Sequence, residues 1–278
     1  MTGQEYKKHI LNELVLYDEG ENMAIIQELF YHLGINTQTD SWLIYEFNSS
    51  QEAYLMNALE ELKTGKPLQY IIGYAPFYGL NIGVNEHTLI PRPETELLCD
   101  IISKNNSGKK LHILDIGTGS GCIVLGLLNH NPFWTGLGID KSKAALQKAE
   151  QNAKELNLND RASWKYCDIL LEHIDFNAFD MIISNPPYIA MHEAQDMTNT
   201  VLKYEPKDAL FTPNDEPLVF YQKIYDIAKS QNYKGAIFLE LNALYAQETA
   251  DIYKAMEPIL IEDYQKKMRF MHIAQTAL

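Results

Sequence analysis

Apolar positions recur with helical spacing through the first 65 residues. Ile10, Leu11, Leu14 and Val15 fall on one face, as do Ile25, Ile26, Leu29, Phe30 and Leu33, and Gly34 is placed to stop that second helix. Residues 41–47 read as a shorter helical piece. Ser50 is positioned to cap a helix that carries Leu55, Leu59 and Leu62 towards a stop near Gly65. Between Gln69 and Val84 the period changes to two, and the runs 69–72 and 80–84 flank the turn-rich Gly73-Tyr74-Ala75-Pro76, which predicts a β-hairpin. Pro93, with Glu94 and Glu96 behind it, suits the first turn of a helix reaching about Lys104. From about residue 109 short apolar runs alternate with amphipathic segments. Strands are predicted at 111–115, 135–140, 162–166, 179–184 and 236–240, with helices at 122–129, 142–156, 218–230 and 243–256. Two more strands are expected near 259–265 and 269–276.

Strands alternating with helices of this length imply a mostly parallel sheet covered on both faces, and a closing pair of strands would give it an antiparallel edge. The expected fold is therefore α/β and Rossmann-like, with a small all-α domain in front. The boundaries read as a helical domain over 1–68, a hairpin linker over 69–90 and the sheet domain over 91–278.

Composition narrows the function classes. The 278 residues are 46% hydrophobic, ordinary for a packed globular core. No apolar run approaches the roughly 18 residues of a membrane span, and the N-terminus lacks a signal-peptide core. No membrane association is expected, and the cytoplasm is the expected location. Cys99, Cys122 and Cys167 are widely spaced and read as small buried hydrophobes; no spacing of Cys or His suggests zinc, so no metal is expected. The net charge is −14. Nucleic-acid binding rests on Lys and Arg neutralising phosphates, so this balance argues against nucleic acid as a direct substrate and favours a basic protein partner.

Four stretches carry chemistry in the sheet domain. Gly117-Thr118-Gly119-Ser120-Gly121 follows the first predicted strand, where glycines let backbone approach a ligand and the next helix offers free N–H groups. A dinucleotide fingerprint would place glycine at 122, where Cys122 stands. The spacing, with Asp115 ahead of it, suits a cofactor without a pyrophosphate. Asp140 ends the next strand about 20 residues on, the usual place for an acid that takes ribose hydroxyls. Asp168 and Ile169 follow the third strand, where they would flank an adenine ring. Together these point to S-adenosylmethionine, leaving as S-adenosylhomocysteine. The remaining stretch, Asn185-Pro186-Pro187-Tyr188, follows a buried strand. Each proline fixes its own φ and holds the residue before it extended. The Asn185 side-chain oxygen and the Pro186 carbonyl can then accept both N–H bonds of one planar NH2 group, with the Tyr188 ring as a wall. No His or Lys stands near this loop except His192, expected at the surface, so positioning rather than a general base is the expected means of catalysis.

An Asn-Pro-Pro-Tyr loop at this place is shared by class I methyltransferases acting on planar amide or exocyclic nitrogens. Combined with Ile90-Pro91-Arg92-Pro93-Glu94-Thr95-Glu96, the glycine turn, residues 65–73 and Glu205-Pro206 before Ala209-Leu210, it resembles the peptide chain release factor N5-glutamine methyltransferases over about residues 65–240. The resemblance implies a seven-stranded sheet and methyl transfer from S-adenosylmethionine to a release-factor glutamine amide in a Gly-Gly-Gln loop. It also implies Arg92 on the substrate side, an N-terminal domain that recognises the partner, a role in tuning translation termination, and a monomer. The alternatives are an amino-methyltransferase acting on a nucleic-acid base, one acting on a ribosomal-protein glutamine, and a non-catalytic binding module. Three departures stand out. Leu241-Asn242 replaces the glycine usual after Leu239-Glu240, only Gly235 of a glycine pair remains, and the Asp and Gly that often precede Arg269 are not evident in residues 264–268.

Overall fold

A computed structural model describes residues 1–106 and 108–274 of the chain. It divides into two compact units, Met1–Gly73 with Thr198–Tyr204, and Tyr74–Met197 with the chain from Glu205 onward.

In the first unit, helices α1 (Gly3–Glu13), α2 (Glu19–His32), α3 (Ser49–Lys63) and α4 (Leu68–Ile72) surround an aromatic core. Capping boxes at Thr2, Asp18 and Asn48 start the three long helices, each cap contributing about 1 kcal/mol. The third cap is Asn48 and not Ser50. Its carboxamide oxygen accepts from the Ser50 and Gln51 N–H groups. Phe30 packs edge-on against Trp42 and Phe47, with ring centroids 5.4 and 5.1 Å apart, and the buried Tyr6 hydroxyl donates to the Leu55 carbonyl at 2.7 Å. The stretch expected at 41–47 is a 3-10 turn over Asp40–Ile44. A helical turn at Asn199–Tyr204 belongs to this unit, and the Tyr204 hydroxyl donates to the Thr64 carbonyl at the end of α3.

The predicted hairpin needs correcting. Residues 69–72 lie in α4, which Gly73 ends in the left-handed conformation, so the β-branched Ile71 and Ile72 do not mark a strand. The hairpin is β1 (Tyr74–Phe77) against β2 (Leu80–Gly83), and it turns at Tyr78-Gly79, both with positive φ. That is the primed turn that matches the twist of paired strands.

The second unit is built on seven strands: β3 (His112–Ile116), β4 (Thr135–Asp140), β5 (Ala162–Tyr166), β6 (Met181–Ser184), β7 (Ala236–Glu240), β8 (Ile259–Glu262) and β9 (Met268–Ile273). Their order is β5-β4-β3-β6-β7-β9-β8, parallel except for β9, which runs antiparallel to both β7 and β8. Central strands β6 and β7 are buried at every position, as a sheet covered on both faces requires. Leu114, Ile116, Ile182 and Leu239 pack on one face against Phe176, Tyr221, Ile224 and Tyr253. Ile113, Ile183 and Phe238 pack on the other against α5 (Pro93–Asn105) and α6 (Cys122–His130), with Leu98, Ile102, Val124 and Leu128. Helix α7 (Lys143–Glu155) starts at the Ser142 cap. Its buried Asn152 exchanges hydrogen bonds of 3.0 Å with the Gly83 backbone and donates to the Ser120 carbonyl, joining the hairpin to the glycine turn.

Two further expectations change in detail. The helix predicted over 243–256 is α-helical only at Ala246–Ile252, with 3-10 turns on either side. The last strand ends at Ile273, and residues 275 and 276 of the predicted strand lie outside the described residues. The departures near Arg269 also resolve. Asp263 accepts from the Arg269 guanidinium at 3.3 Å, and Lys266 occupies the left-handed position of the β8–β9 turn. Asn242 stands in extended backbone, φ −68° and ψ 118°, so no glycine is needed there.

Candidate active site

Strand β3 lies between β4 and β6, so chain connections leave it in opposite directions and a crevice opens at the strands' carboxyl ends. A cavity of about 460 Å³ occupies that place. Gly117, Gly119, Asp140, Asp168, Ile169, Asn185, Pro186 and Pro187, all singled out from sequence, line it. Thr118, Ser120, Gly121, Tyr188 and Arg92 are outside the lining.

The glycine turn explains its own composition. Gly117 and Gly121 have φ of +75° and +79°, which side-chain-bearing residues rarely adopt. At Gly121 a Cβ would stand 2.7 Å from the Trp164 ring and 3.1 Å from Ala149; at Gly117 it would meet nothing within 4 Å. The Thr118 hydroxyl donates to Asp115 Oδ2 at 2.7 Å, while Asp115 Oδ1 and Ser120 Oγ are buried with no partner. Burial pushes the Asp115 carboxyl up to about 7, and the Asp140 charge adds to this. Asp140 spans the turn: Oδ2 accepts from Gly119 N–H at 2.9 Å and Oδ1 from Ser142 N–H at 2.8 Å. Each oxygen keeps a second lone pair for a ligand hydroxyl. Burial raises this carboxyl, opposed by those two backbone bonds. Ile169 is buried, and Asp168 Oδ1 accepts from Leu170 N–H at 3.0 Å. A cavity lined by the glycine turn, a carboxylate at a strand end and an apolar side chain, with an unpartnered buried carboxyl oxygen two residues before the turn, fits an adenosyl group carrying an amino-acid tail.

At the far side of the cavity, the buried Ser184 hydroxyl donates to the Ile116 carbonyl, pinning the end of β6 beside β3. Asn185 Nδ2 then donates to Thr95 Oγ1 at 3.1 Å, and Thr95 Oγ1 donates to Glu240 Oε2 at 2.7 Å. The Tyr188 hydroxyl reaches Glu240 Oε1 at 3.5 Å, while Asn242 Nδ2 donates to the Tyr188 carbonyl at 3.2 Å. Burial pushes the Tyr188 hydroxyl far above its usual range. Ile189 exchanges backbone bonds with Leu210 and Thr212, which tie down the chain leaving the loop. Among the described residues no donor reaches Asn185 Oδ1 or the Pro186 carbonyl, so the two acceptors remain available together. Arg92 is occupied: its guanidinium pairs at 2.7 Å with the buried Glu205, which also accepts from Ile90 N–H. That pairing joins the Ile90-Pro91-Arg92 and Glu205-Pro206 stretches. His192 is exposed and pairs with Asp215.

Thr95, Glu240 and Asn242 were not identified from sequence as parts of the site. The available signal for Glu240 is a carboxylate ending an otherwise apolar run, Ala236–Leu239, that must be buried in a central strand. Thr95 lies inside the Arg92–Glu96 stretch, where it reads as an ordinary residue of a helix's first turn.

The sheet order and the glycine turn at its switch point define a class I methyltransferase fold. Residues 92–212 match the family described as "Methyltransferase small domain". Among solved structures, the hMettl16 catalytic domain in complex with MAT2A 3'UTR hairpin 1 superposes with a TM-score of 0.58 at 15% identity, over 89% of this chain and 91% of that one. The human methyltransferase 10 domain containing protein gives 0.50 at 19% identity, over 81% and 98%. Both are likenesses of fold. Sequence relatives are closer. The release factor glutamine methyltransferase of Flavobacterium psychrophilum is 42% identical, over 70% of this chain and 69% of its own. That of Lactococcus lactis is 39% identical over 84% and 83%, and that of Streptococcus pneumoniae 36% identical over 87% and 85%. The chain belongs to the release factor glutamine methyltransferase family.

Proposed function

We propose that this protein methylates the side-chain amide nitrogen of the glutamine in the Gly-Gly-Gln loop of peptide chain release factors, and so tunes translation termination. The observation that carries the reading is the paired free acceptors, Asn185 Oδ1 and the Pro186 carbonyl, at the edge of a cavity suited to S-adenosylmethionine. Gly117–Gly121, Asp140, Asp168 and Ile169 would hold that cofactor, which when bound supplies an electrophilic methyl group on a sulfonium sulfur. The unpartnered Asp115 oxygen suits a cationic amino group in the same turn.

An amide nitrogen is a weak nucleophile because its lone pair is delocalised into the carbonyl. Asn185 and Pro186 would each accept one of its N–H bonds and hold the lone pair towards the cavity. As positive charge builds on nitrogen these acceptors bind more strongly than in the ground state, which lowers the barrier. Pro187, in the cavity lining, would wall the flat amide, with Tyr188 behind the loop outside the lining, so orientation supplies much of the remainder. The surplus N–H proton passes to solvent afterwards, and no dedicated base is required. The helical region 1–68 would recognise the protein partner, with 69–90 linking it to the catalytic region 91–278. The chain would act as a monomer in the cytoplasm.

Labelled S-adenosylmethionine offered with purified release factor, ribosomal protein, DNA and RNA tests the assignment. Label is expected on the release factor; transfer only to nucleic acid or ribosomal protein would overturn it.

A further inference from the structure

We propose that Glu240 is a positioning residue that fixes the amide orientation of Asn185 through the hydroxyl of Thr95 and seats Tyr188 with its second carboxylate oxygen. The proposal rests on the reading above, in which Asn185 must present oxygen, not NH2, to the acceptor amide.

The direction of each hydrogen bond follows from donor and acceptor inventories. An ionised carboxylate only accepts, and threonine has a single hydroxyl hydrogen. Glu240 Oε2 takes that hydrogen at 2.7 Å. Thr95 Oγ1 is then left with lone pairs alone and can only accept from Asn185, as it does from Nδ2 at 3.1 Å. The amide is thereby held with Oδ1 turned away from Thr95. A flipped amide would set two oxygens against each other with no hydrogen between them, at a threonine that is only 2% exposed. Thr95 and Glu240 are separated by 145 residues in sequence, and only the packing of α5 beside β7 brings them together. Tyr221 locks Glu240 further, its hydroxyl donating to the Glu240 carbonyl at 3.0 Å.

A proton on Glu240 would reverse the chain. The neutral carboxyl can donate to Thr95, Thr95 can donate to Asn185 Oδ1, and the Asn185 NH2 would then meet the acceptor's NH2, donor against donor. The groups facing Glu240 are Thr95 and Glu94 from α5, Arg269 from β9, the Tyr188 and Tyr221 hydroxyls, and the Cys99 and Cys122 thiols, both neutral because burial raises them. Burial pushes the Glu240 carboxyl up to about 7, opposed by the Thr95 bond and Arg269. Methyl transfer is therefore expected to rise with pH through that region.

The test compares Thr95→Val, Thr95→Ser, Glu240→Gln and Asn185→Ala with the wild type. Thr95→Val keeps shape and removes the hydroxyl. It is expected to lower kcat about 10- to 100-fold, by analogy with losing the partners that orient metal-binding side chains, with S-adenosylhomocysteine binding by calorimetry unchanged; Thr95→Ser restores the rate. In wild-type protein the Asn185 side-chain NH2 resonances should titrate together with the rate, and in Glu240→Gln both should become flat with pH. Wild-type kcat in Thr95→Val, or unchanged pH profiles in Glu240→Gln, would overturn the relay even if Asn185→Ala is inactive. A fully active Asn185→Ala would instead overturn the underlying reading.

Discussion

Gly121 and Gly117 allow the packing of the glycine turn to be weighed apart from its backbone geometry. Both sit at nearly the same positive φ, so alanine at either carries the left-handed penalty of about 1–2 kcal/mol. A more restricted unfolded chain returns roughly 0.4–1 kcal/mol of that. Gly117→Ala adds a methyl group with nothing within 4 Å, so its net cost should be on the order of 1 kcal/mol. Gly121→Ala drives its methyl to 2.7 Å from the Trp164 ring and 3.1 Å from Ala149. Trp164 lies on β5 and Ala149 on α7, so relief requires moving elements that shape the cavity, at about 1–3 kcal/mol more. Urea unfolding of the two variants side by side measures the difference directly. Gly121→Ala should be the less stable by about 1–3 kcal/mol, whereas Gly117→Ala, whose methyl enters the cavity lining, should lose more cofactor affinity relative to its stability. Equal stability of the two would refute the packing argument.

Asp140→Ala removes the carboxylate that accepts from Gly119 and Ser142. It should weaken S-adenosylmethionine binding about 10-fold or more, measured by calorimetry without any acceptor present, because the proposed ribose acceptor and the brace of the turn are lost together. Two of the carboxyls raised by burial, Asp115 and Glu240, each reach about 7. Unfolded they would release their protons near pH 4, so between about pH 4 and 7 the native state binds more protons than the unfolded state and stability falls as pH rises. Urea midpoints of the cofactor-free protein should decline over that window, and Asp115→Asn should flatten part of the decline.

The parallel sheet was legible because its central strands are buried apolar runs and its strands are followed by chemistry-bearing residues, although β5 at the edge is largely exposed. Thus β4, β5 and β7 have the boundaries read from sequence. The hairpin was displaced because Ile71 and Ile72 are strand-formers locally, while Gly73 ends a helix there and the turn uses Tyr78 at positive φ, a residue without a turn signature. The short helical turns between 191 and 215 have too little periodicity to be read. Site residues followed the same division. The glycine turn and the Asn185 loop are contiguous motifs, legible one residue at a time. The Thr95–Glu240 contact depends on which strand neighbours which, and period-two or helical patterning carries no such information. The substrate-side expectation for Arg92 came from the family resemblance, and its partner Glu205, 113 residues away, emerges only from the fold.

In the proposed reaction this cavity presents a glutamine amide to a methyl donor. Its most direct measurement is mass spectrometry of a release factor incubated with the protein and S-adenosylmethionine, fragmented to locate the modification. A single added methyl on the side-chain amide of the Gly-Gly-Gln glutamine is the expected result. Methylation at another residue, or an unmodified release factor beside a methylated nucleic acid, would contradict the account.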